Sequence, residues 1–163
     1  MKKFVKAIIS IVMCVVMVFA ISACVATPTE TDSLQIPAGT KNAVAVRYTK
    51  GANNTVELTV TVEGDVAYAA IVGTLNYDSS VLEYVSHTEV DCANVNNKEA
   101  GVLAFSQANS KDYTSTQTLF KVTFKYATAT DTKVSFTFGE GNFTNDQLND
   151  VEYSVFGTDI KLA

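Results

Sequence analysis

The sequence predicts an all-β domain, a β-sandwich, behind an export signal. Three observations carry the sandwich. From Lys41 onward, apolar residues recur with a period of two rather than 3.6. Turn chemistry separates the runs, at Lys50-Gly51-Ala52-Asn53-Asn54, Glu63-Gly64-Asp65 and Gly139-Glu140-Gly141-Asn142. No segment carries a convincing amphipathic-helix pattern. Some nine short strands between Lys41 and Ala163 then mean two packed sheets.

In chain order, residues 1–23 come first. Lys2, Lys3 and Lys6 precede an apolar run from Ala7 to Ile21, broken only by Ser10. A basic start and an apolar middle form a secretion signal. The run is shorter than the roughly 20 residues a spanning helix needs. It closes as Ile21-Ser22-Ala23-Cys24, which resembles the bacterial lipobox. The resemblance implies cleavage before Cys24 and a diacylglyceryl group on its sulfur. An ordinary signal peptide or a retained anchor are the other readings. All three put the rest of the chain outside the cytoplasmic membrane, and the lipobox fixes it to that membrane's outer face. Residues 24–40 hold Thr, Ser, Glu, Asp and both prolines, Pro28 and Pro37. They read as a disordered tether, able to reach roughly 50 Å at about 3.4 Å per residue.

The domain, 41–163, begins with a strand at Ala43–Tyr48. In Thr55–Val62, Val56, Leu58, Val60 and Val62 share one face while Glu57, Thr59 and Thr61 share the other. Ala67–Tyr77, Val81–Ser86 and Gly101–Ser106 follow. In Phe120–Tyr126, Phe120, Val122, Phe124 and Tyr126 alternate with Lys121, Thr123 and Lys125. In Lys133–Phe138, Val134, Phe136 and Phe138 alternate with Ser135 and Thr137. Val151–Val155 and Thr158–Leu162 close the series.

Composition narrows the function. Without residues 1–23, 140 of the 163 residues remain, enough for one domain with a core. Three of the 12 Lys and Arg leave with the signal, so 9 face 17 Asp and Glu, a balance of −8. That argues against nucleic acid, which is bound through clustered Lys and Arg. Once Cys14 is removed and Cys24 lipidated, Cys92 stands alone and no internal disulfide can form. His87 is the only histidine, so there is no Cys/His metal cluster. No Gly-x-Ser-x-Gly elbow accompanies His87, and the scattered carboxylates single out no glycosidase pair. The domain therefore reads as non-catalytic, with no cofactor. Sugar-binding modules stack rings on exposed aromatics; the chain has no Trp, and Tyr68, Tyr113 and Phe143 are what the alternating core faces leave over. Asn142, Asn145, Asp146, Asn149 and Asp150 cluster as calcium would require. Without an EF-hand spacing, they read as a polar turn.

The segment Leu75-Asn76-Tyr77-Asp78-Ser79-Ser80-Val81-Leu82-Glu83-Tyr84-Val85 resembles the cohesin family, which carries a Tyr-Asp, a short turn, then Leu-Glu and an apolar pair. The residues also have a structural reason: Tyr77 can bury its ring at a strand end, and Asp78 can cap the turn. Thr118-Leu119-Phe120-Lys121-Val122-Thr123-Phe124 is similar to the family's late apolar strand. Val134-Ser135-Phe136, Gly141-Asn142-Phe143-Thr144-Asn145-Asp146 and Asp159-Ile160-Lys161-Leu162 follow the order of its closing segments. The resemblance covers Ala43 to Leu162.

It implies a nine-stranded jelly roll, related in fold to some carbohydrate-binding modules. It also implies a protein partner, a dockerin-bearing one in the family's polysaccharide-degrading assemblies. The partner-binding face it implies lies on one sheet: Ala70, Val72 and Thr74, then Ala104, Ser106, Gln107 and Asn109, with the loop at Leu148. The family's polar positions before Tyr-Asp fall here on Ala70 and Val72, and an acidic one falls on Gln107. The face is thus flatter and more apolar than usual. Two other functions fit the same envelope location: a surface module that binds polysaccharide, and a structural lipoprotein.

Overall fold

The computed structural model describes residues 34–91 and 94–163. The signal, Cys24, most of the tether and Cys92 lie outside the described residues. Ten strands form: β1 Ala43–Gly51, β2 Thr55–Glu63, β3 Tyr68–Tyr77, β4 Glu83–Glu89, β5 Asn94–Glu99, β6 Val102–Tyr113, β7 Gln117–Lys125, β8 Thr132–Thr144, β9 Ser154–Phe156 and β10 Asp159–Ile160. There is no helix among the described residues. The strands make two five-stranded sheets, β4-β7-β2-β1-β9 behind and β10-β8-β3-β6-β5 in front. Every pairing is antiparallel except that of β1 with β9.

The jelly-roll sandwich is therefore present, with one strand more than expected. The addition is β5, whose sequence Asn-Val-Asn-Asn-Lys-Glu buries only Val95. A polar edge strand paired on one side has no alternation to betray it. Two predicted strands are displaced along the chain, and the second is also shorter. Val81 and Leu82 sit in the turn before β4, and the strand expected over Val151–Val155 pairs only at Ser154–Phe156.

The period-two reading holds because each sheet buries one face. Val56, Leu58, Val60 and Val62 of β2 and Phe120, Val122 and Phe124 of β7 are fully buried. Phe105 on β6 meets Phe120 with ring centroids 5.1 Å apart, and Tyr77 on β3 meets Phe124 at 4.6 Å. These pairs join the sheets. The Tyr-Asp turn is built as its residues suggest. Tyr77 buries its ring and donates its hydroxyl to Asn97 Oδ1 at 3.2 Å. Asp78 Oδ1 accepts from Ser80 N–H at 2.9 Å and Ser80 Oγ at 2.6 Å, and these bonds lower its pKa.

Residues 34–40, the described part of the stretch expected to be a tether, lie against the back sheet. Arg47 Nη2 donates to the Leu34 carbonyl at 3.4 Å, and Asp65 N–H donates to that of Thr40 at 2.8 Å. Along this line Ala43 and Ala45 are fully buried on the outer side of β1. Asn42 clamps the same end. Its Oδ1 accepts from Ala67 N–H at 2.8 Å, and its Nδ2 donates to the Glu152 carbonyl at 3.0 Å.

Phe124→Ala is expected to lower stability by about 3–5 kcal/mol, through the lost ring and the cavity it leaves. Lys125→Ala, one residue on and outward, is expected to stay within about 0.5 kcal/mol; denaturant titration of both checks the register. Asp131 accepts from Lys161 Nζ at 3.0 Å and from the Leu162 and Ala163 N–H groups at 3.0 and 3.3 Å. These bonds, Lys161's first, hold its carboxyl below the ordinary aspartate value. A depressed carboxylate stabilises the fold above its unfolded pKa and loses that contribution as pH falls through its folded pKa. The stability gap between wild type and Asp131→Asn is thus expected in full at pH 7 and to close below about pH 4, as thermal melts across that range would show.

Candidate functional site

The outer faces of the two sheets differ in chemistry. On the back sheet, β2 and β7 turn Glu57, Thr59, Lys121, Thr123 and Lys125 outward. Lys121 Nζ pairs with Glu57 at 3.2 Å, and Arg47 pairs with Glu63. The front sheet presents uncharged side chains at its centre. Its registers bring Thr74 opposite Ala104 and Thr137, Val72 opposite Ser106, and Ala70 opposite Ala108 and Thr144. On the far side of β6, Asn94 pairs with Ser106 and Asn96 with Ala104. The result is an open depression of about 400 Å³, lined by Val72, Gly73, Thr74, Asn94, Asn96, Ala104, Phe105, Ser106, Thr137, Gly139 and Asn142. Among the described residues, no charged one lines it.

Local sequence explains this shape. Val72 is 44% exposed, on the side of β3 opposite Ile71 and Leu75, which are fully buried. Between them Gly73 has no room for a side chain: a Cβ would lie 2.7 Å from the Phe138 ring. Opposite Val72, the β3–β8 register shifts between Ile71 and Gly73. Residues 139–142 loop out there beside the depression, and Asp150 Oδ1 holds Gly141 N–H at 3.0 Å. Beyond Thr74 a polar ladder continues, with Asn76 Nδ2 donating to Thr137 Oγ1 at 3.0 Å.

Of the residues expected on the face, Ala70, Val72, Thr74, Ala104 and Ser106 are brought together on it. Gln107 is not. It is 2% exposed and points inward in line with Leu103 and Phe105, because Ser106 takes the outward position. Asn109 is exposed just past Ala108, where the β3–β6 register breaks. Leu148 does not line the depression; it is 82% exposed with φ +64°, in a turn whose Asp146 N–H donates to Asp112 Oδ1 at 2.7 Å. Asn94, Asn96, Thr137 and Asn142 complete the depression. Sequence reading missed them as site residues, since two lie on the unforeseen β5 and the others gave no face-specific signal.

The other candidates have local tasks. Asn145 Oδ1 accepts from Gln147 N–H at 3.1 Å and Asn149 N–H at 2.9 Å, making the polar turn expected there. No group of three or more His, Cys, Asp and Glu suited to a metal ion occurs among the described residues. Tyr68 and Phe143 are buried with ring centroids 5.2 Å apart, and Tyr113 packs against Tyr68 at 5.2 Å. His87 is half-buried at the β4 edge, its Nδ1 2.6 Å from the Tyr84 hydroxyl, whose pKa burial raises.

With this geometry in hand, comparison with known proteins points one way. The Cohesin domain family matches residues 43–161. A search of curated proteins gives no match. Among solved structures, the chain is similar to the non-cellulosomal cohesin from the hyperthermophilic archaeon Archaeoglobus fulgidus, at TM-score 0.54 and 16% identity, covering 81% of this chain and 92% of that one. It is similar to the seventh ScaB type I cohesin from Pseudobacteroides cellulosolvens, at 0.55 and 16%, covering 74% and 91%. The sixth cohesin of Acetivibrio cellulolyticus scaffoldin B, solved in complex with a Cel5 dockerin mutant, gives 0.55 and 17%, covering 74% and 98%. At these identities the structural likeness speaks for the fold.

On the outer faces of β3 and β6, Thr74→Val and Ser106→Ala are each expected to change stability by less than about 0.5 kcal/mol. Gln107→Ala, facing inward with its hydrogen bonds, is expected to cost about 1–3 kcal/mol. Chemical denaturation of the three variants separates the two sides of the sheet.

Proposed function

We propose that this chain, which belongs to the cohesin family, is a non-catalytic module that holds a dockerin-type protein partner on the outer face of β8-β3-β6-β5. The observation that carries the reading is the contrast between the two outer faces. The back sheet is salt-bridged and partly covered by residues 34–40. The front sheet is uncharged at its centre, uncovered among the described residues, and exposes the aliphatic Val72. Small side chains at Ala70, Ala104 and Ala108 let another backbone or helix approach the sheet closely. Asn94, Asn96 and Thr74 offer donors and acceptors around an apolar centre, the mixture found in specific interfaces.

The partner's role follows the solved relative bound to a dockerin: the module would hold a dockerin-bearing enzyme, one acting in polysaccharide degradation. Lipidation at Cys24 would fix the module to the outer face of the bacterial cytoplasmic membrane, with residues 25–33 as spacer. Direct polysaccharide binding has less support, since two of its three candidate rings, Tyr68 and Phe143, are buried.

Val72→Asp is expected to leave the melting temperature nearly unchanged, because the side chain is solvated. It should weaken a cognate dockerin at least tenfold, since an unpaired carboxylate would be desolvated in the interface. Lys125→Glu on the back sheet should leave affinity unchanged. Isothermal titration against dockerin modules encoded by the same genome checks this; no binding to wild type, or equal binding to Val72→Asp, overturns the reading. For the anchor, Cys24→Ala should move the protein from the membrane fraction to the medium or leave the precursor unprocessed, as fractionation and blotting would show.

A further inference from the structure

We propose that Gln107 is a positioning residue that fixes the β5 side of the binding face. The inference rests on the function proposed above and names what holds Asn94 and Asn96 in place. β5 needs such support. It is an edge strand paired only with β6, its register shifts between Asn96 and Glu99, and Val95 is its one buried side chain. The chain reaches it by crossing from the back sheet, through Val90 and Asp91.

Gln107 meets that crossing from beneath the face. Its Nε2 donates to the Asp91 carbonyl at 3.0 Å, and its Oε1 accepts from the Tyr68 hydroxyl at 2.6 Å. Asp91 is held on its other side by β7: its N–H donates to the Thr118 carbonyl at 2.9 Å, and its Oδ2 accepts from Thr118 N–H at 2.8 Å. Glu89 Oε1 adds an acceptor for Val95 N–H at 2.8 Å. Gln107 is thus a strut between the front sheet and a crossing already tied to the back sheet. It follows Ser106, the residue paired with Asn94.

Leu103 and Phe105 precede Gln107 on the inward side, and another apolar residue would continue that line without burying an amide. A buried polar group is costly unless bonded, and a fully bonded one specifies a single arrangement. Here the arrangement specified is where β5 begins.

The test compares Gln107→Leu, which keeps the volume, with Val46→Ala, a destabilising core variant on β1, on the far side of β2 from β7 and the crossing. Hydrogen exchange of the β5 amides is expected to quicken about tenfold in Gln107→Leu and not in Val46→Ala, since local opening is separable from global stability. Dissociation of a dockerin that binds wild type is expected to quicken about tenfold in Gln107→Leu alone, with association nearly unchanged. Unchanged β5 exchange overturns the proposal, as does faster exchange with unaltered dockerin kinetics. If Gln107→Leu does not fold, Tyr68→Phe, which removes the hydroxyl orienting the amide, should move the same readouts in the same direction; no movement overturns the proposal. Should no dockerin bind wild type, the failure belongs to the proposed function, and β5 exchange still decides whether Gln107 is the strut.

Discussion

Aromatic contact between the sheets is the constraint on which the rest depends. Phe105 reaches Phe120, and Tyr77 reaches Phe124, across the interior. Large rings contribute much of a core's apolar burial and prefer tilted or edge contacts at these separations. Once Phe105 points inward, strict alternation turns Ala104 and Ser106 outward. Once Ile71 and Leu75 point inward, Val72 and Thr74 face solvent. The outer face of β3 and β6 is the reverse side of the core, and its register cannot slip without exposing those rings.

Polar groups supply what the rings cannot, namely the positions of irregular segments. Among the described residues, no buried side-chain nitrogen or oxygen lacks a partner. Asn42 and Gln107 are both almost fully buried, and both bond backbone rather than charge. Asn42 gathers the start of β1, the approach to β3 and the segment before β9. Gln107 reaches the crossing into β5. A buried amide satisfied at both ends loses more when one partner is removed than it contributes to net stability. Such residues therefore act as locators of chain position.

The two outer surfaces of the one fold differ in chemistry. Exposed ion pairs such as Lys121–Glu57 contribute little stability, but they keep the back sheet hydrated. The front sheet lacks charge at its centre and carries Val72 among amides and hydroxyls. The edge strand β5 carries the charged Lys98 and Glu99, which discourage unwanted pairing there.

The sequence by itself determined the class of fold, most strand positions and the role of the Tyr77-Asp78 turn, because alternation and turn chemistry are local properties. Val56 to Val62 and Phe120 to Phe124 report which side is buried without reference to any partner strand. Ala70, Val72, Thr74, Ala104 and Ser106 were legible only through the family resemblance, whose order of segments sets them side by side on one sheet. Only the tertiary structure decided the rest. β5 carries no alternation, so its existence depends on pairing with β6. Gln107 looks like a surface residue by type, and its inward direction follows from Ser106 taking the outward place. The looped-out residues 139–142 arise from a register shift against β3. Whether Asn94, Asn96 and Asn142 share one depression depends on strands distant in sequence meeting side by side, a matter of long-range register that no local pattern encodes.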